Sequence, residues 1–533
     1  MTRRISAAGV VLVLLVGGVL AGCSSDDDSG SASKPTTTAA GATTSTTAKG
    51  TEYSRTPFLD APKGKLEDVD CWWDLGEVDP SVTVKCQTLT VPADWGDPDS
   101  SDKVVLPVAT LHKDGVPTDG SPVVILHGGP GGALLVDAPA SVSKGPLVAQ
   151  HDLVLYDQRG SGRAEPSLNC PEKEQAVMDA LTTTDPVAVE LKRNVEATQA
   201  CRDRLVGDGI DLNDYNTIAS VNDLDALRDA LGFEKWNVNG GSYGTRLGLA
   251  YARQHPDRVR ALALDSVYPT QVGDLDRAVN NPPRALERLV DECSGDADCK
   301  AAFPDLAKTV DDAAKALDDK PGEVTLKLTF AGKEQEKTYH VVGSDFRSGM
   351  YAALYQNAII PLIPKVIGDV ANGDYGILPT YLQTAGPLLT GLSEGAYLSI
   401  DCADSGRLLD GATAEDVVGD GEFFIYAMAL AQTFCSQWDV APLPPSFNEP
   451  AVPDVPTIIF AGTLDPVTPY TDSKEQAEAM PNAKFVLAPR GGHGDAGFDD
   501  CTRKAFMDFL ADPSADLPAC VKDLQAPKFI LGG

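Results

Sequence analysis

Short apolar runs alternate along this chain with stretches of helical periodicity, and few architectures satisfy that alternation. Val123-Val124-Ile125-Leu126 is one run, closing on His127-Gly128-Gly129-Pro130-Gly131-Gly132; Leu153-Val154-Leu155-Tyr156 is another, closing on Asp157-Gln158-Arg159-Gly160. A strand apolar at every position is covered on both faces, which a parallel sheet between layers of helices achieves. The helical stretches complete the pattern. Leu224, Leu227 and Leu231 share a face over 221–231, and a second helix is predicted over Tyr243–Gln254, stopped near His255-Pro256. Trp236-Asn237-Val238 leads into that helix, and Val259–Leu264, Thr457–Ala461 and Lys484–Leu487 are further strands. The expected class is α/β with a mainly parallel sheet, and 533 residues at 43% hydrophobic content suffice to bury a large core.

Between Tyr268 and about Val452 the alternation stops. Helical pieces over Pro283–Glu292 and Gly349–Ile360 are predicted there, with a hairpin whose arms are Glu323–Phe330 and Lys337–Val342. This reads as a large, mostly helical cap over 270–452, inserted into a core that occupies 53–269 and 453–533.

Within the core, one short stretch carries chemistry. Gly240-Gly241-Ser242-Tyr243-Gly244 sits between a strand and a helix, and glycines two positions either side of the serine let the chain bend sharply and push the hydroxyl out at the sheet's carboxyl edge. A neutral hydroxyl attacks a carbonyl only when a histidine takes its proton and a carboxylate orients that histidine. Gly462-Thr463-Leu464-Asp465-Pro466 follows one late strand, and Gly491-Gly492-His493-Gly494 follows the last. The chain order Ser242, Asp465, His493 is that of α/β-hydrolases. An oxyanion hole needs two amides, and Gly129 and Tyr243 can supply them. Taken singly, the G-x-S-x-G is common by chance, Asp465 is a turn former beside Pro466, and His493 is one of six histidines; their order and strand context together make the triad. Asp157 and Arg159 are expected to form an ion pair bracing the strand end beside this site, with direct contact to substrate as the alternative.

The N-terminal residues are an address. Met1-Thr2-Arg3-Arg4 is a positive start, Ala7–Ala21 is too short and Gly-rich for a membrane span, and Leu20-Ala21-Gly22-Cys23 resembles the bacterial lipobox. Residues 1–22 are therefore expected to be a lipoprotein signal peptide, with Cys23 lipidated. Residues 23–52 are Ser/Thr-rich with almost no large apolar side chains and read as a disordered tether. The expected location is outside the cell, lipid-anchored to the outer face of the bacterial membrane, with partial release. A net charge of −33 argues against general affinity for nucleic acid or anionic lipid, leaving the anchor as the membrane contact. Beyond Cys23, ten cysteines remain in an exported chain without C-x-x-C pairs, which favours disulfides over metal sites. Sequence does not fix their pairing; neighbour with neighbour closes short local loops, giving Cys71-Cys86, Cys170-Cys201, Cys293-Cys299, Cys402-Cys435 and Cys501-Cys520.

HGGPGG at 127–132, DQRGSG at 157–162, GGSYG at 240–244, GTLDPVTP at 462–469 and GGHG at 491–494 together resemble exported bacterial α/β-hydrolases of the Streptomyces tripeptidyl aminopeptidase kind, related more distantly to proline iminopeptidases. VKCQTLTVPADW at 84–95, SIDCADSG at 399–406 and CSQW at 435–438 extend the likeness from about Cys71 to Cys520. The resemblance implies an α/β-hydrolase fold with a cap, release of short units from free peptide N-termini through an acyl-enzyme, and the neighbour disulfide pairing. One departure is Ala164-Glu165, where relatives often carry serine after the Asp-x-Arg-Gly-x-Gly loop. An enzyme that measures from an ammonium needs a carboxylate beyond the nucleophile; Asp401, Asp404 and Glu165 are the candidates, Asp404 and Glu165 being carried as substrate-binding. An esterase or lipase would use the same triad, and a catalytically silent binding lipoprotein the same fold. Fluorophosphonate labelling separates enzyme from binder, and paired peptide and ester substrates separate the two enzymes. No metal or organic cofactor is implied, and a monomer is expected.

Overall fold

The computed structural model describes residues 53–73, 78–116, 121–135, 138–183, 185, 187–330, 333–379, 392–405 and 435–532. The expected signal peptide, Cys23 and the tether lie outside these residues.

The core strands are β1 (Lys65–Asp68), β2 (Val82–Pro92), β3 (Lys103–Lys113), β4 (Val123–Leu126), β5 (Leu153–Tyr156), β6 (Trp236–Gly241) and β7 (Val259–Asp265). A separate hairpin, β8 (Gly322–Phe330) and β9 (Lys333–Val341), precedes the last two core strands, β10 (Thr457–Gly462) and β11 (Ala483–Ala488). Nine of them form one sheet in the order β1-β2-β3-β5-β4-β6-β7-β10-β11. From β5 to β11 every pairing is parallel. The first three strands join antiparallel, an extension that the search for wholly apolar runs passes over because β2 and β3 alternate buried with more exposed positions. The chain goes from β4 to β5 on one side and then to β6 on the other, so the sheet reverses at β4. Loops leaving β4 and β6 flank that reversal, where open α/β sheets place their ligands.

Side chains alternate across the sheet as the pleat requires. Val124, Val154, Val238 and Leu262 pack on one face with helices α3 (Thr217–Ala230) and α4 (Tyr243–Gln254), which follow α1 (Pro171–Leu181) and α2 (Val187–Gly207) in the chain. Val123, Leu153, Ala261 and Phe460 pack on the other with the C-terminal helix Asp500–Ala511.

Between β7 and β10 the chain builds a second apolar cluster from α5 (Asp274–Gly295), α6 (Leu306–Asp319), the hairpin, α7 (Gly343–Leu354) and α8 (Ile363–Ala371). Helix α5 starts earlier than the expected Pro283 and runs through Pro282 and Pro283; buried Ala285 and Leu289 and the bonds of Asn281 and Arg284 to the 465–467 loop hold it in spite of the missing amides. Helix α7 spans Gly343–Leu354 instead of 349–360, because the Asp345 carboxylate accepts the Val342 amide at 3.0 Å and starts the helix there. Helix α9 (Glu394–Ser405) then lies against the core. All five disulfides pair neighbour with neighbour, as expected.

Candidate active site

Ser242 follows β6 at φ 55° and ψ −125°, outside the regions an L-residue ordinarily occupies. The strain is held by close packing of backbone. A Cβ on Gly240 would lie 2.3 Å from the Gly244 carbonyl oxygen, and one on Gly244 would lie 2.2 Å from that of Leu126, so neither position admits a side chain. The Ser242 amide donates to the Asp265 carbonyl at 3.0 Å, and the Thr245 amide and hydroxyl donate to the Ser242 carbonyl at 2.9 and 2.6 Å. The loop leaving β4 presses on the same residue: a Cβ on Gly128 would come within 2.7 Å of the Ser242 Cβ and 3.3 Å of its Oγ. Gly129 follows at φ 116°, and Tyr243 opens α4, where the first amides have no partner within the helix. The two expected oxyanion residues thus lie on the two segments that meet at Ser242.

Asp465 and His493 meet from the ends of β10 and β11, with His493 Nδ1 2.8 Å from Asp465 Oδ2. Asp465 is fully buried. Its Oδ1 accepts the amides of Val467 at 2.8 Å and Thr468 at 2.9 Å, and its Oδ2 accepts the Thr468 hydroxyl at 2.7 Å. Burial alone would raise this carboxyl, but the charge and hydrogen bond of His493, the Thr468 hydroxyl and the Val467 amide outweigh it and hold the group below its ordinary value. Two neighbouring carboxyls go the other way. Burial pushes Asp265 up, and burial with the charges of Asp265 and Asp465 pushes Asp495 well up. Of the three carboxyls, the one that touches His493 is thereby the most readily ionised.

Several residues that the sequence did not single out complete the arrangement. The Asp265 carboxylate accepts the Asp495 and Ala496 amides, both at 2.8 Å, and the Ser266 hydroxyl accepts the Gly494 amide at 2.9 Å. One dipeptide at the end of β7 therefore ties the serine turn to the histidine loop. From the insertion, Tyr355 accepts the His493 amide at 3.1 Å and packs its ring 4.8 Å from the imidazole. Asn357 accepts the Gly492 amide at 2.6 Å and donates to the Gly494 carbonyl at 3.1 Å and the Asp495 carboxylate at 3.0 Å, spanning both neighbours of His493. Arg284 donates to the Asp465 carbonyl at 2.8 Å and Asn281 to that of Val467 at 2.6 Å. Ser242 and His493 line one cavity of about 430 Å3.

Two expectations are corrected. Arg159 does not pair with Asp157; it forms a two-point ion pair with Asp223, at 2.7 Å from Nε and 2.6 Å from Nη2. Asp157 instead accepts the amides of Leu134, Leu135 and Arg163 at 2.7–2.9 Å. Both still brace the strand end, but with partners distant in sequence. Asp404, carried as substrate-binding, is 1% exposed and accepts the Thr217 amide at 3.2 Å and hydroxyl at 2.5 Å, with Arg246 3.9 Å away. That hydroxyl lies 2.6 Å from the Tyr243 phenol, so Asp404 satisfies the first amide of α3, whose cap is Asn216, and links it to the serine turn. Glu165 is exposed; its backbone pairs with Val105 of β3, and among the described residues no hydrogen bond or ion pair links it to Ser242, Asp465 or His493.

The chain is a serine hydrolase of the α/β-hydrolase fold, with a strained Ser242 after β6, Asp465 after β10 and His493 after β11 on a mainly parallel sheet. The model of the alpha/beta hydrolase fold matches residues 121–301 and that of TAP-like proteins matches 422–520. The chain is similar to the tripeptidyl aminopeptidase of Streptomyces coelicolor, 26% identical over 81% of this chain and 80% of that one. It is also similar to the serine protease Hip1 of Mycobacterium tuberculosis, 26% identical over 77% of this chain and 82% of that one. Proline iminopeptidase of Xylella fastidiosa is 32% identical over a shorter stretch, 28% of this chain and 33% of that one.

Proposed function

We propose that this chain is an exported serine aminopeptidase that removes short, tripeptide-type units from free peptide N-termini, with Ser242, His493 and Asp465 as its triad. The observation that carries the reading is a strained Ser242 and an Asp465-bound His493 sharing one cavity, in a chain similar over 81% of its length to a tripeptidyl aminopeptidase. Ser242 Oγ attacks the scissile carbonyl as its proton passes to His493 Nε2, and the oxyanion forms toward the amides of Gly129 and Tyr243. His493 then gives the proton to the departing nitrogen, and water, activated by the same imidazole, releases the short peptide from Ser242.

The substrate's ammonium needs a carboxylate on the cap side, and Asp404 is occupied by Thr217. Asp401, nearly one turn earlier on α9, is half-buried, 3.4 Å from the Tyr268 hydroxyl and 3.2 Å from that of Ser405, and takes the role in this reading. Export with a lipid on Cys23 belongs to the same proposal; five disulfides support an oxidising compartment, and no helix among the described residues is long and apolar enough to cross a membrane.

Paired substrates test it. Acetyl-capped tripeptide amides are expected to lose at least roughly a hundredfold in kcat/KM against free ones, about 2.7 kcal/mol of transition-state binding. Asp401→Asn should shrink that ratio. Equal rates on capped and free peptides would end the aminopeptidase reading in favour of an esterase or endopeptidase.

A further inference from the structure

The cavity that reaches Ser242 and His493 is lined, among the described residues, by none between 267 and 492. It runs instead along the face of the sheet that carries the C-terminal helix Asp500–Ala511, between Leu134 and Leu147 on one side and Phe506 and Met507 on the other. Its outer end is open to solvent at Pro146, Gly497 and Arg503, all exposed. A void in the core would be closed, and would not end on the two reacting side chains.

We infer that this cavity is the leaving-side subsite, which takes an apolar side chain on the residue whose amide nitrogen is released; the inference rests on the peptidase reading above. Polarity of the reaction sets the side. His493 is held to Asp465 through Nδ1, so Nε2 is the atom that delivers the proton to the leaving nitrogen, and the leaving residue must lie on the histidine's side of the scissile bond. The cavity is bordered there by Gly494, Ala496 and Gly497 as they continue from His493, and meets the oxyanion loop at its start, His127 and Gly128. The insertion covers the opposite side: a Cβ on Gly129 would meet Leu392 at 2.9 Å, and Ser393 donates its amide to the Gly131 carbonyl at 2.9 Å, both beside the oxyanion loop. N-terminal units are thus held toward the insertion, and the rest of the peptide passes along the core and out past Arg503.

Size and lining define what the subsite selects. A cavity of about 430 Å3 admits a large side chain with the backbone that follows it, and a wall of Leu134, Leu147, Phe506 and Met507 rewards removal of apolar surface from water. A charged side chain among these four would lose its hydration, and the cation at the mouth, Arg503, is already paired with Asp500.

The test keeps one free tripeptide unit constant and varies the residue after the cut among Gly, Leu, Phe and Asp, following each released amine by mass spectrometry. Leu and Phe are expected to exceed Gly by roughly ten- to a hundredfold in kcat/KM, with Asp lowest. Met507→Trp, which fills the cavity, should lower the Leu and Phe substrates at least about tenfold more than the Gly substrate. Leu147→Trp, at a half-buried position near the mouth, gives the same readout should Met507→Trp not fold, and fluorophosphonate labelling of Ser242 reports which variants retain an active nucleophile. Cleavage with a flat preference, or an equal loss on all four substrates in both variants, overturns the subsite alone. Labelling of Ser242 with no cleavage of any member of the series overturns the peptidase reading and the subsite with it.

Discussion

Around Ser242 the contacts are backbone against backbone: Gly240 on Gly244, Gly244 on Leu126, Gly128 on the serine itself. Around Asp465 and His493 they are side chains reaching in from the insertion: Asn281 and Arg284 on the acid loop, Tyr355 and Asn357 on the histidine loop. Even Leu464, next to the acid, packs into the insertion's apolar cluster. The serine turn is thus held by the core, whereas the Asp465 and His493 loops, the latter also tied to the core at Asp265 and Ser266, are gripped by residues of the insertion. A change in the insertion can retune proton transfer without touching the nucleophile.

The largest effect should come from the nucleophile. Ser242→Ala is expected to fold normally yet lose on the order of 10⁴-fold or more in kcat, with His493→Ala similar and Asp465→Asn about 10³- to 10⁴-fold down, as read by steady-state kinetics beside a thermal melt. Activity above about one percent in Ser242→Ala would remove it from the reaction.

Next is the buried ion pair under the core half. Arg159 and Asp223 are essentially unexposed, so Arg159→Met leaves a buried carboxylate with, among the described residues, the Trp95 indole as its remaining partner and should cost about 3–5 kcal/mol of stability. Denaturant unfolding measures it, and activity should fall only as the folded fraction does. A loss under about 1 kcal/mol would mean that the core half does not depend on this pair.

Asn357→Ala addresses the other half and should behave oppositely. Freed at both neighbours, His493 loses alignment, and kcat should drop roughly ten- to a hundredfold while KM and the melting temperature change little. An unchanged kcat would show that Asp265 and Ser266 suffice to hold the loop, and the contrast between the halves would fail.

The smallest effect concerns the seam between them. Burial pushes the Asp404 carboxyl up to about 6 from 3.8, against the pull of Arg246 and Thr217. The folded form thus binds this proton more tightly than the unfolded chain, so its contribution to stability is present at low pH and is lost as pH rises from about 4 through 6. Relative to Asp404→Asn, the wild type should lose on the order of 1–3 kcal/mol across that window, with a capped-to-free substrate ratio near that of the wild type. A flat difference would mean that Asp404 does not titrate there; an altered ratio would return it to the substrate.

What the sequence by itself determined is what local chemistry dictates. Strands β4 and β5 and helix α4 fall where the apolar runs and the His255-Pro256 stop place them, and the serine turn announces itself because only glycine fits at 240 and 244. Tertiary structure alone decided that Arg159 turns to Asp223 and not to Asp157, that Asp404 serves Thr217, and that Asn357 grips both sides of His493. The reason is physical: a carboxylate, guanidinium or amide carries no periodicity, and its partner is whichever group the packed backbone brings within about 3 Å, regardless of separation along the chain.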